Sequence, residues 1–420
     1  MTPWADIVGL AHVAPGGAAD AVDGVVPRAV VRPGSIDEVR SCVGAAAGIR
    51  AALVTSGLGA HLDLGGPPAR LDVLLRLDRL AAVVDHQAGD MTVTVEAGCA
   101  LPHLAGTLAT AGQWLPLDPP RPATTTIGGL IAADLSGPLR ASQGRVRDLL
   151  LGIRVVGFDG ALVSGGGRVV KNVAGYDLPK LHVGALGTVG VIVEATFKVR
   201  PRPAREEAVR IATKSPREAT EVALALLDDP EVAPYWLEVV GSGVLDGDGA
   251  AAVVGLAGIP EEVEHARARV LAATRTRGLE AMTVADGDAL RLRLGAIPGE
   301  PAAALLRAAM LPADVGEFME HVDAVARTMD ARARSIAHAA NGVVRIAIEQ
   351  PGVAASLIAA LRPALAARGG SFVVERAVPS VKVSCDVWGD AGPGFPLMRR
   401  LKEAFDPAGI LAPGRFVGGL

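Results

Sequence analysis

Apolar positions fall in short β-branched runs over the first two hundred residues and in longer helical periods beyond them. Val25–Val31 reads as a strand ending at Arg32-Pro33. Ser35, with Glu38 three residues on, makes a capping box for a helix running to Gly48, and Ala51–Thr55 returns as a buried strand. Leu71–Leu77, Ala81–Val84 and Met91–Ala97 read as further strands, and Pro102–Ala111 as a helix of small residues. Asp148–Val156 is a buried strand, Phe158-Asp-Gly-Ala161 a hairpin turn and Leu162-Val163 its partner. Val189–Val199 is a long strand stopped by Pro201 and Pro203. Beyond Ala204, Ser215–Leu227, Glu261–Thr274 and Pro301–Leu311 read as helices, and Leu237–Val240, Ala251–Leu256 and Val343–Ile348 as strands. This mixture predicts an α+β chain.

Superimposed on that pattern, glycine-bearing turns crowd residues 119–199. Pro119-Pro120 leads to Thr124-Thr125-Thr126-Ile127-Gly128-Gly129. Ser136-Gly137, Lys171–Asp177 and Gly184–Gly187 follow, and then Gly190-Val191. Glycine is needed where a chain takes positive φ or lies flat against a phosphate or ring, so the stretch is expected to wrap a large ligand. The amides and dipole of the helix after Gly128-Gly129 suit a pyrophosphate; the plainer alternative is a threonine cap on a buried helix. Asp177 has a similar plain reading, as the cap of a helix reaching Leu181. The loop Ser56-Gly57-Leu58-Gly59-Ala60-His61 lacks the third glycine and the following helix of a dinucleotide fingerprint. It is either an ordinary turn or a phosphate cradle made of backbone amides alone.

Composition narrows the function classes. A chain of 420 residues predicts two or three domains. With 41 basic and 45 acidic residues and 3% aromatics, it has neither the charge nor the stacking surface of a nucleic-acid binder. Cys42, Cys99 and Cys385 are too far apart for metal or redox spacing, so no metal or iron–sulfur site is expected within the chain, and their sparseness fits a reducing cytoplasm. No signal peptide and no membrane span are expected.

Taken in order, these motifs resemble the FAD-binding domain of the vanillyl-alcohol-oxidase (PCMH) type, in its glycolate oxidase and D-lactate dehydrogenase branch. Lys171-Asn-Val-Ala-Gly-Tyr-Asp-Leu178, Val146-Arg-Asp-Leu-Leu-Leu-Gly152 and Asp386-Val-Trp-Gly389 carry the resemblance most specifically. It implies an FAD-binding domain over residues 1–203, in two subdomains of about 25–115 and 116–203. An α+β cap domain over 204–374 and a segment 375–420 returning to the FAD domain complete the implied arrangement. It also implies that Ser56–His61 and Thr125–Gly129 line the pyrophosphate, that Ser136-Gly137 approach the flavin ring, that Gly190-Val191 meet the adenine end, and that Pro119 is among the cofactor-binding residues. Some relatives attach flavin through a histidine of the first loop, near His61; non-covalent FAD is expected here.

Departures from the pattern shift the expected chemistry. Catalytic members of the branch carry His-Ala-Gly-Asp-Gly-Asn-x-His, whose histidines hold a metal. The matching run here is His338-Ala-Ala-Asn-Gly-Val-Val-Arg345, so one ligand is replaced. Their Glu-His-Gly-Ile-Gly, with the histidine base, is matched by Glu375-Arg376-Ala-Val-Pro. An arginine is no base at neutral pH. The expectation is therefore an accessory or electron-relaying FAD subunit, beside a related catalytic flavoprotein and an iron–sulfur subunit, for oxidation of a small 2-hydroxy acid. It would work in the cytoplasm, at the inner face of the membrane through its partners. The alternatives are a self-sufficient dehydrogenase, with Lys171, Tyr176 or His338 as base and Asn172 and Arg376 on the substrate carboxylate, and a scaffold with a decayed flavin site.

Overall fold

In a computed structural model, residues 3–167, 177–245 and 249–420 are described. The chain forms two compact units. One comprises Met1–Leu135, Arg145–Pro201 and Trp388–Leu420; the other comprises Ser136–Gly144 and Arg202–Val387.

In the first unit, β1 (Val13–Pro15), β2 (Ala29–Val31), β3 (Leu53–Ser56) and β4 (Val73–Arg76) form a sheet of order β1-β2-β4-β3. β4 runs parallel to both β2 and β3, as a strand–helix–strand unit requires. The intervening helix, α1 (Ile36–Gly48), begins as its sequence predicts. Ser35 Oγ accepts from the Glu38 amide at 3.2 Å, while the Glu38 carboxylate reaches back to the Gly34 amide at 2.7 Å. β5 (Val83–Gln87), β6 (Thr92–Glu96), β7 (Leu150–Val156), β8 (Leu162–Gly166) and β9 (Val191–Lys198) make a second, antiparallel sheet of order β5-β6-β9-β7-β8. Val31 and Leu75 from the first sheet, Val39 from α1, and Val95, Val193 and Phe197 from the second share one core. Each such side chain adds roughly 1.5–3 kcal/mol by leaving water.

The second unit is built on an eight-stranded sheet. Its strands are β10 (Arg205–Thr213), β11 (Trp236–Val240), β12 (Ala250–Gly258), β13 (Ala281–Val284), β14 (Ala304–Ala309), β15 (Ala333–His338), β16 (Val343–Ile348) and β17 (Ser371–Ala377), in the order β13-β10-β12-β11-β15-β16-β14-β17. Helices Pro216–Leu227, Val315–Thr328 and Pro351–Ala366 bury Ala223, Phe318, Val322, Leu357 and Leu361. The mixed α+β class is as the sequence predicts. One element differs in kind: Pro301–Leu311, read as a helix, holds strand β14. Its Ala-Leu-rich run suits either state locally, and pairing with β16 and β17 on both sides decides for the strand. Asp177 stands before the helix Leu178–His182, but its carboxylate makes no cap hydrogen bond; it pairs with Lys180 at 2.5 Å. No helix among the described residues is long and apolar enough to cross a membrane.

Candidate functional site

β3 delivers the chain into Ser56–His61, and Thr126 faces that loop from the start of helix α2 (Ile127–Ala133). A Cβ on Gly57 would lie 2.2 Å from Thr126 Oγ1, so the two segments meet only because residue 57 is glycine. Gly59 takes φ +84°, in the left-handed region. The open cleft between the segments continues past Gly128 to Gly187 and Gly190.

Two clamps fix the loop. Arg121, at φ +56°, donates to the Ala60 carbonyl and to Asp63 Oδ2, the latter at 2.7 Å. His61 Nε2 lies 2.8 Å from Thr125 Oγ1, which itself donates to the Arg121 carbonyl at 2.9 Å. A hydroxyl that gives its proton to a carbonyl accepts from its other neighbour, so His61 Nε2 carries a hydrogen.

Several expected contacts look different in place. The helix-start amides anticipated for a pyrophosphate are engaged within the protein: Ile127 N–H on the Cys99 carbonyl at 2.9 Å, Gly128 N–H on the Ala97 carbonyl at 2.7 Å, and Gly129 N–H on Thr126 Oγ1 at 3.3 Å. The plainer threonine-cap reading holds for this helix, whose seven residues give little dipole. Thr125, Ile127 and Val191 are fully buried, and Pro119 is buried too. Thr125 acts as the staple of the loop, while Ile127 and Val191 belong to the core. Ser56, Gly57, Gly59, Ala60, His61, Thr126, Gly128, Gly129 and Gly190 do line the cleft, and Leu58 projects into solvent at 48% exposure beside it. Ser136 and Gly137 are buried and grouped with the second unit. Lys171, Asn172 and Tyr176 lie outside the described residues.

Whether the cleft fits an anionic cofactor can be judged from its polar atoms. Among the described residues Ser56 Oγ is buried and finds no hydrogen-bond partner, a state that costs free energy unless a ligand completes it. Among the described residues, no main-chain hydrogen bond is donated by Gly57, Leu58, Gly59 or Ala60, which leaves four consecutive amides for a phosphate. The fit is good, although the amides come from the Ser56–Ala60 loop and not from α2. Arg121 and Arg415, which hold this loop, carried no motif signal for a site; only their places beside a proline and at the end of a turn-rich tail set them apart in sequence.

On the second unit, Glu238, His338, Arg345, Arg307 and Glu375 form a row across the neighbouring strands β11, β15, β16, β14 and β17. His338 Nδ1 lies 2.6 Å from Glu238 Oε1, and Arg345 Nη1 lies 2.7 Å from His338 Nε2. Arginine only donates, so Nε2 is the acceptor, Nδ1 carries the hydrogen, and the imidazole is neutral. Arg345 Nε bonds Glu375 at 2.9 Å, and Arg307 reaches the same carboxylate at 3.1 Å. Burial pushes Glu375 up, but the Arg345 and Arg307 charges outweigh it and hold its pKa below the usual value. Arg376 is no part of the row: it donates to the carbonyls of Pro298 and Glu300, tying down a turn. His338 as the proton acceptor of a self-sufficient enzyme is thus disfavoured, because its one lone pair is occupied by Arg345.

Comparison with known proteins bears on both units. Residues 27–166 match an FAD binding domain, and residues 385–416 match the C-terminal domain of FAD linked oxidases. Glycolate oxidase subunit GlcE of Escherichia coli (strain K12) is 36% identical over 172 residues, 41% of this chain and 49% of that protein. The match thus spans about half the length of that relative. Glycolate oxidase subunit GlcD of Bacillus subtilis (strain 168) is 25% identical over 419 residues, 93% of this chain and 89% of that protein. Among solved structures, p-cresol methylhydroxylase with substrate bound superposes with a TM-score of 0.77 at 15% identity, covering 98% of this chain and 95% of that one, a likeness of fold.

Proposed function

We propose, from the premise that this chain is an FAD-dependent oxidoreductase carrying the FAD binding and C-terminal domains of the FAD linked oxidases, that it is the accessory or electron-relaying flavin subunit of a glycolate oxidase-type complex acting on a small 2-hydroxy acid. In this reading the first unit is the FAD domain and the second the cap. Its partners are a related catalytic flavoprotein and an iron–sulfur subunit. The assembly works in the cytoplasm and meets the inner face of the membrane only through those partners.

FAD, when bound, supplies the two-electron acceptor for such an oxidation. Ser56 Oγ and the amides of Gly57–Ala60 would hold its pyrophosphate, with Thr126, Gly129 and Gly190 against its length. In this reading FAD is held without a covalent bond, and His61 serves to staple the loop to Thr125. Taking the hydroxyl proton of a 2-hydroxy acid requires a basic lone pair within reach. The observation that carries the accessory reading is Arg345, whose guanidinium engages the lone pair of His338. Arg376, standing where catalytic relatives have their histidine, offers no replacement at neutral pH.

The test is anaerobic addition of glycolate or D-lactate to the purified, FAD-loaded chain. Unchanged visible flavin absorbance, with oxidation restored by co-expressed flavoprotein and iron–sulfur subunits, is expected. Prompt bleaching of the isolated chain would overturn the accessory role and favour a self-sufficient dehydrogenase.

A further inference from the structure

The strongest unexplained feature of the first unit is the path of its last residues. Residues 410–412 run alongside β3: Leu53 N–H donates to the Ile410 carbonyl and Ala412 N–H to the Leu53 carbonyl, both at 2.8 Å. The chain then passes behind the loop that follows β3. Ala69 N–H bonds the Pro413 carbonyl at 2.8 Å and Gly66 N–H the Arg415 carbonyl at 2.9 Å. Trp388 Nε1 donates to that same Arg415 carbonyl at 3.1 Å.

Arg415 is only 3% exposed. Its Nη2 donates to the carbonyls of Leu62 (2.7 Å) and Leu64, its Nη1 to the Gly66 carbonyl at 3.3 Å, and Asp23 balances its charge at 3.4 Å. Together with Arg121 on Ala60, two guanidinium groups therefore hold the carbonyls of residues 60, 62, 64 and 66. In a planar trans peptide the C=O of one residue points opposite to the N–H of the next, so these contacts fix the facing of the amides of residues 61, 63 and 65 and anchor the far half of the loop whose near half, Gly57–Ala60, carries the open amides. Arg415 also lines the cleft beside Gly57, Gly59 and His61.

We propose that Arg415 is a positioning residue for the cofactor: it reaches the ligand through the Gly57–Gly66 loop, and the C-terminal segment is thereby a working part of the cradle. This rests on the FAD reading given above. Neutral replacement removes a charged donor from three carbonyls and its charge from beside Asp23. Hydrogen bonds to a charged group are roughly twice as strong as those between neutral groups.

The test uses the full-length apoprotein. Arg415→Gln should bind FAD at least about tenfold more weakly than wild type, the loss of one such bond, read from quenching of flavin fluorescence. Amide exchange in the unliganded protein should accelerate over residues 57–66 and stay unchanged in β9. Arg415→Lys keeps the charge with poorer reach and should fall between the two. Wild-type affinity and wild-type loop exchange in Arg415→Gln would overturn the proposal, and if that variant does not fold, wild-type affinity and exchange in Arg415→Lys would do the same. Failure of the wild-type chain itself to take up FAD would instead sink the parent reading.

Discussion

Glu238 and Glu375 sit on one sheet face with opposite responses to pH. Burial pushes the Glu238 pKa well above the ordinary 4.5, against the pull of Arg345. The folded chain therefore prefers Glu238 protonated, and its stabilising effect, full below about pH 4.5, is lost as pH rises towards the folded value. Glu238→Gln lacks that penalty, so its melting temperature should gain on wild type from pH 5 to pH 8. A gap that does not change with pH would contradict this. Glu375, held low by two arginines, stabilises above its ordinary 4.5 and loses that effect as acid protonates it. Glu375→Gln should cost about 3–5 kcal/mol at neutral pH, on the order of 10 °C of melting temperature, with the deficit shrinking on acidification. The cysteines give a simpler check: burial pushes the thiols of Cys42 and Cys99 up to about 12 and about 11. A thiol reagent should modify only the partly exposed Cys385 in the native protein and the other two after unfolding.

At the scale of elements, the loop after β3 and the start of α2 behave as one device, and Gly57 is its tightest point. Gly57→Ala would drive a methyl into Thr126 and displace the cap on Gly129. The expected outcome is about 1–3 kcal/mol of lost stability and little bound FAD, with far-ultraviolet circular dichroism unchanged. Much of this device was legible in sequence: Ser56–His61 and Thr125–Gly129 marked its two walls. The source of the open amides was not, because Cys99 and Ala97, thirty residues from α2, satisfy the helix start through tertiary contacts. β14 was misread for a related reason, since a buried Ala-Leu run carries no period and only its neighbours β16 and β17 make it a strand. Arg121 and Arg415 were silent because a cation that binds main-chain carbonyls leaves no partner signature in the sequence.

For the whole molecule, the proposed FAD cradle and the occupied His338–Arg345 pair belong to different compact units, and each can be probed separately. FAD in hundredfold excess over its dissociation constant should stabilise the chain by about 2.7 kcal/mol, with slowed amide exchange over residues 56–66. Arg345→Ala, by contrast, should disturb the row around Glu375 and leave flavin affinity within about twofold of wild type; a large loss of flavin would show that the second unit governs retention. The path of residues 410–415 has one more consequence, which concerns synthesis. Arg415 closes on Gly66 across 349 residues of sequence. At about 5–20 residues per second, a ribosome needs roughly 20–70 s to make that interval. During that time the nascent first sheet lacks its last neighbour, so a chain terminated early by a premature stop codon would leave the ribosome without a finished cradle. If Arg415 positions the cradle as proposed, a chain stopped before it should bind flavin more weakly than one translated past it.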